Sequence, residues 1–157
     1  MKNRTNMQVK AIPTGYHTVT SCLMVEGCEQ LIDFLKRAFN AEELSRFNWQ
    51  DGAVAHAEVR IGDSIIMLGE AKSPTLPMPC AIYLYVEDAD ETHRQAISAG
   101  ATSILDPVNM FWGDRHGGVK DPFGNMWWIA THIEDMSREE LQRRGDEWMR
   151  GQSQKKM

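Results

Sequence analysis

The sequence predicts an α+β fold in which two βαβββ modules pair into a curved, cup-forming mixed sheet, followed by a C-terminal helix. Three observations carry that expectation. The order strand, helix, strand, strand, strand is written twice in the hydrophobic patterning. The two copies superpose on a shift of 61 residues, which carries Val25 onto Val86 and brings the turns Gly62-Asp63 and Gly124-Asn125 within one residue of coincidence. Between the copies, residues 70–79 hold Pro74, Pro77 and Pro79, a composition that suits a linker better than a regular element. The implied organisation is an arm over 1–14, a single domain over 15–135 made of modules 15–70 and 80–132, and a helix with its tail over 136–157.

Each element has its own reason. From His17 to Val25 the residues alternate, with Val19, Leu23 and Val25 on one face and Thr18, Thr20, Cys22 and Met24 on the other. Gly27 breaks that strand. Leu31, Phe34, Leu35, Ala38 and Phe39 then fall at the spacing of an amphipathic helix, and Asn40 suits its left-handed end. Glu42–Trp49 and Ala53–Ile61 flank Gln50-Asp51-Gly52, a hairpin signal, and Gly62-Asp63 turns the chain into a further strand over 64–69. In the second copy, Cys80–Val86 is a strand, and Asp88 caps a helix that Gly100 ends. Residues 101–105 form a strand that Asp106-Pro107 breaks. Asp121-Pro122-Phe123-Gly124 is a tight turn between the last two strands, so Trp127 and Ile129 face one way while Met126, Trp128 and Ala130 face the other. Ser137 and Glu140 form a capping box for a final helix reaching Arg150; Gly145 weakens it by about 1 kcal/mol, so it needs a surface to lean on.

Composition excludes several classes of function. A chain of 157 residues buries about 68–70% of its unfolded surface and holds a self-sufficient core. The formal charge of −5, without a basic stripe, argues against nucleic acid, and Lys155-Lys156 reads as a solvated tail. No apolar run reaches the roughly 18–20 residues of a membrane span, and Met1–Lys10 lacks the apolar stretch of a signal peptide. Cys22, Cys28 and Cys80 are an odd number without metal-type spacing, and ten methionines accompany them, which favours a reducing cytoplasm over a disulfide framework.

The doubled unit, Asp33-Phe34-Leu35 before Ala38-Phe39-Asn40-Ala41-Glu42, and Asp121-Pro122-Phe123-Gly124 before the last strand together resemble the vicinal oxygen chelate superfamily, the glyoxalase, bleomycin-resistance and extradiol-dioxygenase group. More narrowly, the run from His56 to Ser64, Phe111-Trp112-Gly113-Asp114-Arg115 and Ala130-Thr131-His132 are similar to its PhnB-like branch. The resemblance implies a cup with up to four ligands for a divalent metal, at positions that fall here on Thr20, Met67, Ala81 and Trp128. A hydroxyl, a thioether, a methyl group and an indole do not hold such an ion, so neither a metal nor another cofactor is expected.

On the four inner strands the presumed cup face carries Thr18, Thr20, Cys22, Met24, Ile65, Met67, Ala81, Tyr83, Tyr85, Met126, Trp128 and Ala130, without His, Asp or Glu. That is the composition of a small-molecule pocket. Trp128 and Tyr83 are candidate stacking platforms weighed against plain packing, and Trp112 and Arg115 sit beside the mouth, where Arg115 either clamps an anion or pairs with an acid such as Asp114. His56 and Glu58 share a strand face and suit acid–base work or a structural hydrogen bond. His17 falls off the cup parity, His93 is placed on the exposed side of its helix, His116 in a turn before Gly117-Gly118, and His132 at the end of the sheet. The candidate ligand-binding residues are therefore Thr20, His56, Met67, Tyr83, Trp112, Arg115 and Trp128, and no catalytic residue is assigned.

The expectation is a homodimeric binder of a small, partly apolar organic molecule, with nucleic acid and membrane excluded as partners. Its rival is a metal-dependent lyase, isomerase or dioxygenase that uses His56, Glu58 and His116 or His132 in a rearranged site.

Overall fold

Leu31, Ile32, Phe34, Leu35 and Ala38 are buried along one stripe of the first helix, which fixes how the first half of the chain folds around it. The structure, a computed structural model, describes residues 9–154, so the start of the expected arm and the Lys155-Lys156 tail lie outside the described residues. The first module runs β1 (Cys22–Val25), α1 (Cys28–Phe39), β2 (Glu42–Asn48), β3 (Val54–Ile61) and β4 (Ser64–Glu70). The second runs β5 (Ala81–Tyr85), α2 (Ala89–Ser98), β6 (Thr102–Asn109), β7 (Asp114–Lys120) and β8 (Met126–His132), and α3 (Arg138–Gln154) follows.

Each module makes a four-stranded sheet, ordered β1-β4-β3-β2 and β5-β8-β7-β6. The first strand of each is parallel to the last, and the other pairs are antiparallel. The duplication holds at the level of single residues: Cys22 pairs with Met67 and Tyr83 with Trp128, and both members of the pair are displaced by the same number of residues. The two sheets join through their helices rather than strand to strand. Arg37 Nη1 donates to the Ala99 carbonyl at 2.9 Å, Gln95 Nε2 donates to Arg37 O and Asn40 Oδ1 at 2.8 Å each, and the Phe39 and Trp127 rings meet at 4.9 Å.

Local chemistry explains the element ends. Asn40 takes φ 52° at the end of α1, and Gly52 takes φ 87° in the hairpin, where Asp51 accepts from the Ala53 amide. Asp88 caps α2 by accepting from the Glu91 amide at 2.9 Å. The N-terminus of α1 has no cap of its own; Glu70, from β4, accepts from the Gly27 and Cys28 amides at 2.8 Å each. Asp121 organises the last turn: it accepts from the amides of Phe123 and Asn125, from the Asn125 side chain and from Trp127 Nε1, which locks Trp127 in the core.

Three expectations change. The first strand is only Cys22–Val25. Upstream, the Ser21 carbonyl still reaches β4 through Met67 N, but Val19 is 85% exposed rather than core. β6 runs through Asp106-Pro107 instead of breaking, because two register shifts between Ser103 and Val108 leave the missing Pro N–H without a ladder partner to lose. The last helix continues to Gln154; Phe111 packs over Gly145 and its ring lies 5.6 Å from that of Trp148, which supplies the surface the helix needs.

Candidate functional site

The pairing of β5, β8 and β7 places Tyr83 opposite Trp128 and Trp128 opposite Gly118, then Tyr85 opposite Ala130 and Ala130 opposite His116. Alternation therefore puts Tyr83, Tyr85, Trp128, Asp114 and His116 on one face, the face away from the helices. Their rings form a ladder. Trp128 and His116 lie 5.1 Å apart at 22°, and His116 and Tyr83 lie 5.3 Å apart at 18°. Trp112 meets His116 edge-on at 5.6 Å. Gly118 makes the ladder possible: a Cβ there would lie 2.5 Å from two carbons of the Trp128 indole.

Asp114 is the polar centre of this face. Its buried carboxylate accepts from Tyr83 Oη at 3.2 Å, Tyr85 Oη at 3.1 Å and Trp112 Nε1 at 3.1 Å, all on Oδ2, while His132 Nδ1 lies 2.9 Å from Oδ1. Burial alone would raise the Asp114 carboxyl, but the bonds from His132, Tyr85, Tyr83 and Trp112 outweigh it and hold the group below the usual carboxylate range. Burial, then the Asp114 charge, push Tyr83 up to about 12, so its phenol stays protonated. Hydrogen bonds to Asp114 and then to Asp135, which lies 3.0 Å from His132 Nε2, raise His132 above the ordinary imidazole value. Burial lowers His116 instead, so its ring is neutral at neutral pH. His116 Nδ1 lies 3.1 Å from Tyr83 Oη.

The first module has a smaller counterpart. Glu58 accepts from Ser45 Oγ at 3.1 Å and lies 3.4 Å from His56 Nε2; the Tyr16 hydroxyl, then Ser45 and His56, keep its carboxyl low against the effect of burial. A pocket of about 470 Å³ opens beside it, lined by Tyr16, Thr20, Glu58 and Met67. A larger cleft of about 1250 Å³ runs between the modules, with Thr20 and Arg60 on one wall and Tyr83, Tyr85 and His132 on the other.

Of the residues singled out from sequence, Tyr83 and Trp112 come together on Asp114, and Trp128 joins them through its stacking on His116. Thr20 and Met67 share the first module's pocket, and His56 stands on β3 against Glu58. Arg115 is not brought to the cluster: it lies on the opposite face of β7, where Asp90 of α2 and Asn109 engage its guanidinium. His116 is a strand residue rather than part of a turn, and His93 is buried against Ser103 rather than exposed, because α2 lies over β6. Tyr85 stands on the cup face read from sequence, whereas Asp114 and His116, both on β7, were the residues of this cluster that a reading of the four inner strands missed. Alternation carried through residues 114–120 as a strand would have found them.

The positions that the resemblance assigns to a metal are Thr20, Met67, Ala81 and Trp128, and their side chains do not fit one. Among the described residues, no group of three or more His, Cys, Asp or Glu is placed to hold an ion. Each nearby acid–histidine pair, Asp114–His132 and Glu58–His56, is already engaged with itself.

The model of the glyoxalase/bleomycin resistance protein/dioxygenase superfamily matches residues 16–129. The chain belongs to that superfamily. An uncharacterised Mycobacterium bovis protein is 35% identical over 131 residues, which is 76% of this chain and 86% of that one. Among solved structures, TioX from Micromonospora sp. ML1 superposes with a TM-score of 0.61 at 23% identity, over 73% of this chain and 99% of TioX. A Bacillus cereus PhnB protein, described as a putative 3-demethylubiquinone-9 3-methyltransferase, superposes with a TM-score of 0.57 at 17% identity, over 73% of this chain and 99% of its own. At these identities the structural likenesses speak for the superfamily's fold, and the chemistry rests on this chain's own residues.

Proposed function

We propose that this protein binds a small, partly apolar, planar organic molecule on the open face of its second module, without the superfamily's metal. The observation that carries the reading is the ladder Trp128–His116–Tyr83, three near-parallel rings beside a buried carboxylate. Aromatic faces supply apolar contact area, and a few fixed polar groups orient what lies on them, which is the usual make-up of a small-molecule site. Sequestration or carriage, as in the bleomycin-resistance members of the superfamily, follows from such a site more directly than metal chemistry does. The runs His56–Ser64, Phe111–Arg115 and Ala130–His132 are what we rest a place in the PhnB-like branch on.

Tyr83 is 42% exposed and Tyr85 66%, so the face is open on one side to receive the ligand, and the homodimer expected from sequence stands as a separate proposal. The reducing cytoplasm expected from the odd number of cysteines stands as a proposal beside it.

The test is a titration of protein purified without a metal-affinity tag, using 2-naphthol, read by tryptophan emission and calorimetry. Saturable binding that is weakened in Trp128→Ala supports the reading. No binding, together with one equivalent of a divalent ion on elemental analysis, supports the metal-dependent lyase, isomerase or dioxygenase instead. Light scattering gives the oligomeric state, and a monomer at micromolar concentration would contradict the dimer.

A further inference from the structure

Hydrogen-bond counting assigns the His116 tautomer. Tyr83 has one proton to donate, and its hydroxyl lies between Asp114 Oδ2 at 3.2 Å and His116 Nδ1 at 3.1 Å. An ionised carboxylate accepts only. If the Tyr83 proton pointed at His116, two sets of lone pairs, one on a charged oxygen, would face each other across the first of those distances. The proton therefore goes to Asp114, Tyr83 Oη accepts from His116 Nδ1–H, and the neutral ring is left with a bare Nε2. That nitrogen takes no hydrogen bond from the described residues. Among them no buried side-chain nitrogen or oxygen lacks a partner, so it is not sealed off. Trp128 and Tyr83 are both stacked against the ring, Tyr83 also reaching its Nδ1 edge, and Trp112 stands against it edge-on. What remains for a ligand is the edge that carries Nε2.

We propose that His116 is the specificity-determining residue of this site, its bare Nε2 accepting a hydrogen bond from an aromatic ligand that carries an acidic O–H or N–H, a phenol or a heteroaromatic N–H. This rests on the binding function proposed above and names its ligand class. Ligands of the same shape that lack the donor leave Nε2 unpaired when they displace water from it, and a site built to hydrogen-bond a group rejects analogues without that group far more strongly than it rejects a missing methylene. Asp114 and the Tyr83 hydroxyl have a positioning role: they act by holding the Nδ1–H tautomer, while the Tyr83 ring stays part of the aromatic surface.

Two measurements test this. Wild-type protein is titrated with 2-naphthol and with its methyl ether, 2-methoxynaphthalene; the phenol binds tighter by about tenfold, the size expected when an acceptor is left without its donor. His116→Phe keeps a ring in the ladder and brings the two affinities together, and Tyr83→Phe narrows the gap by releasing the tautomer. Independently, nitrogen-15 spectra of histidine-labelled protein show His116 protonated at Nδ1 and bare at Nε2 in the wild type, with that preference reduced in Tyr83→Phe. Equal binding of phenol and ether by the wild type, or a proton found on Nε2, overturns the inference and leaves the binding function standing. Failure of both probes to bind overturns the binding function and the inference with it.

Discussion

Gly118 is where the site is most exposed to a single methyl group. In Gly118→Ala the new Cβ would sit 2.5 Å from Cε3 and from Cζ3 of Trp128 and 3.4 Å from Cη2. Carbon atoms rest about 3.5–4.0 Å apart, so the indole must retreat by about 1 Å. Strand β7 blocks it on one side and the ring can move only outward, which opens a gap against His116, now 5.1 Å away in a stacked arrangement. Overpacking a well-filled site costs about 1–3 kcal/mol; because Trp128 faces an open side, the lower half of that range, about 1–2 kcal/mol, is expected. Urea unfolding followed by circular dichroism measures the loss. The same substitution in a Trp128→Phe background should cost about 1 kcal/mol less, since the clashing ring carbons are gone, and a change in tryptophan emission that Gly118→Ala causes only when Trp128 is present reports the displaced indole. An unchanged urea midpoint, or an equal cost in both backgrounds, would refute the arrangement of Trp128 over Gly118.

Asp114 tests the polar half of the same face. In Asp114→Asn the side-chain oxygen can keep Tyr83, Tyr85 and Trp112, so the loss is about 1–2 kcal/mol, whereas Asp114→Ala strands all four donors and should cost about 3–5 kcal/mol by the same unfolding assay. His132 has its folded pKa raised by Asp114 and Asp135, so its contribution is fully present below its ordinary value of 6.5 and fades as pH rises through the raised one. His116, lowered by burial, runs the other way: its contribution holds above 6.5 and is lost as pH falls through its depressed value. The stability difference between wild type and His132→Gln should therefore shrink as pH is taken from about 5.5 to about 9, and a constant difference would contradict the ion pair. Gly145→Ala should raise the urea midpoint, by about 0.5–1 kcal/mol of helix propensity, because the added methyl meets the Phe111 ring at 3.4 Å, an ordinary contact.

Much of the fold was legible because the duplication repeats every local signal. The amphipathic stripe of α1, the Asn40 end, the Asp88 cap and the Asp121–Gly124 turn each point to the element that forms, and the separation of Trp127 from Trp128 follows from alternation alone. What misled was local chemistry overridden by long-range partners. Pro107 reads as a break, yet an edge strand with register shifts absorbs it. His116-Gly117-Gly118 reads as a turn, yet the glycines are strand residues that make room for Leu105 and Pro107 on one face and for the Trp128 indole on the other. That misreading hid the site's polar centre, because Asp114 and His116 share β7 with those glycines. Arg115 was drawn to the mouth by its sequence neighbours, while its partner Asp90 lies 25 residues away, on α2. The helix N-terminus held by Glu70 had no local signature at all, since its carboxylate comes from the far end of the module.

In the function proposed, the rings and the bare imidazole edge of the second module, rather than a metal, hold this protein's ligand. The most direct measurement is the crystallographic density over Trp128 and His116 in protein purified from cells without added ligand or metal-affinity steps. A flat organic molecule is expected against the indole, with a donor atom within hydrogen-bonding distance of His116 Nε2. An ion coordinated by protein atoms on that face would contradict it.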